Sequence, residues 1–204
     1  MSGEEHQLFF ESFPHVGLSK TYNIDQQTPD SAGTMTAMIT GTKTLAGVLS
    51  VGPEVTRASA EHCNESNLKT LVEIAEEAGW ATGIVTTTTV THATPAAAYA
   101  HSLERRWESV SNMPDEAIDA GCRDIASQLL EFNYGDGIDV VLGGGLDHFT
   151  PTPQGKRNDG RSLVEEWQNR YPQGSFVQNK VELSRINSQS TTKLLGLFAN
   201  GNME

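Results

Sequence analysis

Apolar and polar positions switch between two periods along the chain. Ala32, Met35 and Ile39 recur at helical spacing after Pro29-Asp30-Ser31, predicting a helix that Gly41 stops. Asp30 or Ser31 can cap its free amides. A second helix is predicted after Ser66, with Leu68, Leu71, Val72, Ala75 and Ala78 on one face and Gly79 at its end. The β-branched run at 81–89 predicts a buried strand. Thr94-Pro95 then opens a helix, Thr94 as cap and Pro95 at its first position, that carries Ala98, His101, Ser102 and Arg105. Ile118, Cys122, Ile125, Ala126, Leu129 and Leu130 form a further amphipathic stripe. Residues 138–142 read as a strand, and Gly143-Gly144-Gly145 as a tight turn where backbone comes close to something. Residues 150–160 read as a loop, Ser162 and Glu165 have capping-box spacing before a helix containing Trp167, and 194–198 reads as a strand. This alternation predicts an α/β layered fold.

Composition narrows the function classes. The 204 residues are 37% apolar and 20% charged, which excludes a disordered acidic tail, and no run approaches the ~18 apolar residues of a spanning helix. A net charge of −12, spread along the chain, argues against nucleic acid or an anionic membrane as partner. It leaves room for a small anionic substrate in a locally positive pocket. The first five residues are polar and acidic, with no signal-peptide pattern. The end of the chain just after a strand-like run, with no covering helix, reads together with this start as two cuts through a longer protein.

Four pieces could carry chemistry. Ser31 at a helix N-terminus sits where an anion or alkoxide is stabilised, although Asp30-Ser31 is equally a plain helix cap. His92 and Thr94 lie where a strand end turns into a helix, the place where open α/β sheets collect ligands. Arg105 can grip a phosphate as a bidentate fork, or stand solvated beside Arg106. The glycine turn at 143–145 completes the set. Spacing alone makes a weak case for phosphoryl chemistry.

Read together, the segments resemble alkaline phosphatase in order along nearly the whole chain. The resemblance rests on Thr28-Pro29-Asp30-Ser31-Ala32-Gly33-Thr34, on Thr91-His92-Ala93-Thr94-Pro95-Ala96 and on Tyr99-Ala100-His101-Ser102, with Arg105 just before Trp107. Gly121-Cys122-Arg123-Asp124, Val141-Leu142-Gly143-Gly144-Gly145 and Leu194-Leu195-Gly196-Leu197-Phe198 also match. It implies a three-layer αβα sandwich with a mostly parallel central sheet, here incomplete, so that residues 1–204 form a partial domain. It implies hydrolysis of phosphate monoesters through a phosphoserine intermediate, with Ser31 as nucleophile activated by zinc. Arg105 would grip the phosphate and Asp30 would hold that guanidinium. Thr94 would ligate magnesium, and His92 lies where the family carries aspartate or histidine near that ion.

The resemblance further implies a Cys63–Cys122 disulfide closing a loop of about 60 residues, worth about 4 kcal/mol as an upper figure in chain-entropy terms. With it comes an oxidising compartment, periplasmic or extracellular, and a homodimeric parent. Asn64-Glu65-Ser66 fits a glycosylation sequon. The family's upstream Asp ligand and its later Asp, His and Glu ligands have no counterpart among these residues, so Zn2+ and Mg2+ are expected to need donors from elsewhere. The fragment alone is therefore expected to be a very poor phosphatase, with exposed sheet edges that favour aggregation. A non-catalytic phosphate-binding or interaction protein on the same fold is the competing reading, and a related phosphoryl or sulfuryl transferase a third.

Overall fold

A computed structural model describes residues 6–61, 63 and 65–204; the first five residues and Asn64 of the sequon lie outside the described residues. Four strands, β1 (Gly83–Thr89), β2 (Val140–Gly144), β3 (Ser175–Val177) and β4 (Leu194–Leu197), form one sheet in the order β1-β2-β4-β3. Every pairing is parallel. Among the described residues seven α-helices accompany them: α1 (Ser31–Thr40), α2 (Leu71–Glu77), α3 (Ala93–Ala96), α4 (Asp115–Asp119), α5 (Ile125–Glu131), α6 (Leu163–Arg170) and α7 (Lys180–Leu183). This is the expected α/β fold with an open parallel sheet.

The main core joins Ile84, Val90 and Val141 of the sheet region with Ile125, Ala126, Leu129 and Leu130 of α5 and Leu163, Val164 and Trp167 of α6. The α5 part of the predicted amphipathic stripe is thus buried, and so is Trp167 of the helix expected after Ser162. A smaller cluster gathers Val48, Val51, Leu103, Trp107 and Cys122. It lies beside the disulfide of Cys63 and Cys122, whose Cα atoms are 5.2 Å apart.

Several elements differ from the sequence reading. The 118–130 stripe is two helices, because Gly121 adopts φ +85° and Asp124 caps α5 anew by accepting from the Ser127 amide. The helix after Ser66 starts only at Leu71, capped by Thr70, since Leu68 donates instead to the Ser50 carbonyl. α3 is a single turn with His92, not Thr94, at its N-cap. The chain then leaves the helix so that Ser102 pairs antiparallel with Leu49, which places His101 to Arg105 outside any helix, Arg105 itself in a turn. β1 is an edge strand of alternating burial, with Val85 exposed, rather than a buried strand. Gly143 and Gly144 belong to β2 itself, while Gly145 (φ +99°) leads out of it and does receive a close approach: its amide donates to the Ala199 and Gly201 carbonyls at 2.9 and 3.0 Å.

The 150–160 loop is anchored by one arginine. Arg157 is fully buried and donates to Asp124 at 3.0 Å and to Asp159 at 2.6 Å. Removing a partner from such a pair strands a buried charge. Arg157→Ala is expected to cost about 3–5 kcal/mol in urea unfolding, and a loss below about 1 kcal/mol would contradict this. Burial pushes the Asp159 carboxyl up, but Arg157 and the Arg161 amide hold it below its ordinary value. A lowered folded pKa gives stability that is present above the unfolded value of about 4 and fades as pH falls through the folded one. The acid limb of the stability curve should therefore flatten in Asp159→Asn; unchanged steepness would count against the pair.

Candidate functional site

The site forms where the N-terminus of α1 meets the carboxyl end of β1. Asp30 caps α1: one carboxylate oxygen accepts from the Ala32 amide at 3.0 Å and the Gly33 amide at 3.4 Å. The same oxygen accepts from the Gly47 amide at 2.7 Å. Its other oxygen accepts from Arg105. Burial raises the Asp30 pKa, but the Gly47 amide and the Arg105 charge outweigh it and hold the group ionised below its ordinary value.

Arg105 is held in turn by its own backbone, whose amide donates to the Gly47 carbonyl at 2.8 Å. Its Nη1 donates to Ser31 Oγ at 2.9 Å as well as to Asp30, and its Nη2 lies 3.2 Å from His92 Nε2. A guanidinium only donates, so His92 Nε2 accepts and the ring proton sits on Nδ1. That Nδ1 is buried with no hydrogen-bond partner among the described residues. Burial, reinforced by the adjacent Arg105, lowers the His92 pKa and favours the neutral ring.

Asp30, Ser31, Arg105 and His92 are therefore one hydrogen-bonded group. Thr94 stands apart: it is exposed on α3 and makes no side-chain hydrogen bond to that group among the described residues. Ser31 and Arg105 are both partly exposed, so an anion can reach them from solvent. The arrangement offers a fork of N–H donors, the first free amides of α1 and a hydroxyl within reach of the same point. Among the described residues the hydrogen-bond partner of Ser31 Oγ is a donor and not a base.

No group of three or more His, Cys, Asp or Glu residues is placed to hold a metal among the described residues. Ser31 and Thr94 supply two hydroxyls, and the unprotonated nitrogen of His92 already accepts from Arg105, short of the three strong donors that catalytic zinc takes. The residues present do not by themselves fit a zinc site.

Sequence reading missed the second layer of this arrangement. Arg57 forms a bidentate pair with Glu104 at 2.7 and 3.0 Å, and Glu104 also accepts from the Arg106 amide at 3.1 Å. The Ala58 amide donates to the Leu103 carbonyl at 2.8 Å, so residues 57–58 brace the chain on the N-terminal side of Arg105. The Arg57 guanidinium lies over Gly47, where a Cβ would overlap it. Gly47 also has φ +83°, so Gly47→Ala should lose at least about 1 kcal/mol in thermal or urea unfolding; wild-type stability in that variant would refute the packing described.

Comparisons with known proteins address the family and the fold. The alkaline phosphatase family model matches residues 1–204. The chain is 44% identical over 210 residues to an alkaline phosphatase of Gadus morhua, covering 96% of this chain and 44% of that protein. It is 42% identical over 217 residues to the tissue-nonspecific isozyme of Homo sapiens, covering 99% of this chain and 41% of that one. The chain thus spans less than half the length of these curated relatives. Its fold matches the alkaline phosphatase of the Antarctic bacterium TAB5 with a TM-score of 0.72 at 27% identity, over 100% of this chain and 49% of that chain. The Thermus thermophilus enzyme gives 0.66 at 34% identity, over 90% and 31%. A variant of the TAB5 protein is described with magnesium bound in its M3 site.

Proposed function

The chain belongs to the alkaline phosphatase family, and from that premise we propose that it supplies the phosphate grip and the nucleophile of a phosphate monoester hydrolase. One observation carries the reading: a single guanidinium, fixed by Asp30, donates to the hydroxyl of Ser31 at the head of α1. An ester phosphate seated there exchanges the Ser31 contact of Arg105 for two of its own non-bridging oxygens. Ser31 Oγ then attacks phosphorus in line and releases its proton to water, and the P–O bond to the alcohol breaks. The departing alkoxide takes a proton from water. A water molecule hydrolyses the resulting phosphoserine to inorganic phosphate and free Ser31.

Zinc and magnesium are the proposed cofactors, with His92, Thr94 and Ser31 beside them. Their ligand sets draw on donors beyond the described residues, so no step above passes through a metal. The same shortage supports the proposal that this chain alone binds phosphate far better than it turns over esters. The Cys63–Cys122 disulfide supports an oxidising, extracellular or periplasmic compartment. No helix among the described residues is long and apolar enough to cross a membrane.

Calorimetric titration with inorganic phosphate tests the grip. Arg105→Ala should weaken binding at least about a hundredfold, by loss of a charged bidentate contact, and Arg105→Lys should recover only part of it. Labelled phosphate should be incorporated at acid pH by the wild type and not by Ser31→Ala. Equal binding in Arg105→Ala, or equal label in Ser31→Ala, overturns the proposal.

A further inference from the structure

The segment that carries Arg105 continues into Glu108, a carboxylate outside the phosphate grip. Its Oε2 accepts from Thr89 Oγ1 at 2.7 Å and from Thr91 Oγ1 at 2.6 Å. The Nε2 of His148 lies 3.3 Å from the same oxygen. These three partners come from the end of β1, from the turn that leads into His92, and from the helical turn after the glycines of β2. Thr89, Thr91 and His148 are all buried. The Glu108 carbonyl also accepts from the Ala126 amide at 3.1 Å, which ties this stretch to α5.

The consequence is geometric. Arg105 and His92 are on separate stretches of chain, and each has independent supports: Gly47 and Asp30 for Arg105, the β1 strand for His92. Their mutual contact at 3.2 Å depends on how those two stretches are spaced. Glu108 is three residues from Arg105, and Thr91 is the immediate neighbour of His92. One carboxylate oxygen therefore spans the two stretches next to the contact. Leaving Thr89 and Thr91 without an acceptor would cost the full penalty of buried, unpartnered hydroxyls, so the bridge has a strong reason to stay closed. Its charge also reaches the ring, since Glu108 is among the groups acting on His92.

We propose that Glu108 is a positioning residue that sets the His92–Arg105 contact, and through it the orientation of the phosphate-gripping fork, by clamping the Thr89 and Thr91 hydroxyls against the Arg105 segment. The second half of this statement rests on the phosphate reading above; the first half does not. A misplacement of a gripping group by a fraction of an ångström to an ångström suffices for large losses in a site of this kind.

Two readouts on the full chain separate the halves. Nitrogen-15 spectra of the imidazoles report whether His92 keeps its proton on Nδ1 with Nε2 accepting from Arg105. Calorimetry with inorganic phosphate reports the fork. Glu108→Ala should redistribute the His92 proton between the two nitrogens and weaken phosphate binding about tenfold. Glu108→Gln retains a carbonyl oxygen for both hydroxyls and should restore most of both signals, whereas Glu108→Asp, one methylene short, should not. Val164→Ala, a destabilising change in the α6 core, should leave both readouts as in the wild type. A wild-type His92 spectrum in Glu108→Ala overturns the clamp. An altered spectrum with wild-type phosphate affinity overturns its link to the fork. Phosphate binding that ignores Arg105→Ala overturns the functional reading while the spectra still judge the clamp.

Discussion

The pair between Asp30 and Arg105 is the constraint on which the rest of the site depends. An arginine that is only partly exposed is tolerated when its charge is met by a partner fixed from another direction. Asp30 is fixed from two directions, by the head of α1 and by the Gly47 amide. The same carboxylate therefore caps a helix, pins a loop and aims a guanidinium. Ser31 follows as the next residue, and its hydroxyl falls under the fork without any interaction dedicated to placing it there.

This economy has an electrostatic consequence. The protein carries −12 overall, yet the groups that meet at Ser31 and Arg105 are hydrogen-bond donors: the Arg105 guanidinium and the head of α1. Arg105 and the positive end of a ten-residue helix act over a few ångströms, whereas the acidic surface acts over a distance that salt screens. Short range wins at the site. Burial keeps the His92 ring neutral, so it accepts from the guanidinium instead of repelling it. The orphan Nδ1 on its far side is the one buried side-chain polar atom of the group left without a partner among the described residues.

Much of this was legible from the amino acids, for identifiable reasons. α1 was readable from end to end because its cap, apolar spacing and terminal glycine all agree locally, and α6 was readable at its start from the Ser162–Glu165 spacing. β4 was readable from its apolar run, and Asp30, Ser31, His92, Thr94 and Arg105 from motif order. The helix expected from Pro95 through Arg105 was not formed, because tertiary pairing of Ser102 with Leu49 outweighed a run of good helix formers. β3 escaped notice because three residues with no alternation give no periodic signal. Glu104 and Glu108 belong to no motif in the sequence; their partners Arg57, Thr89, Thr91 and His148 lie far away along the chain, and only folding brings them together. Thr94 shows the reverse limit, a motif residue that the fold leaves outside the hydrogen-bonded group.

The most direct measurement is a crystal structure of the protein with inorganic phosphate bound. The account predicts two phosphate oxygens on the Arg105 guanidinium, Asp30 still paired with it from behind, and phosphorus facing Ser31 Oγ. Phosphate seated on other residues, with Arg105 still turned onto Ser31 and His92, would contradict it.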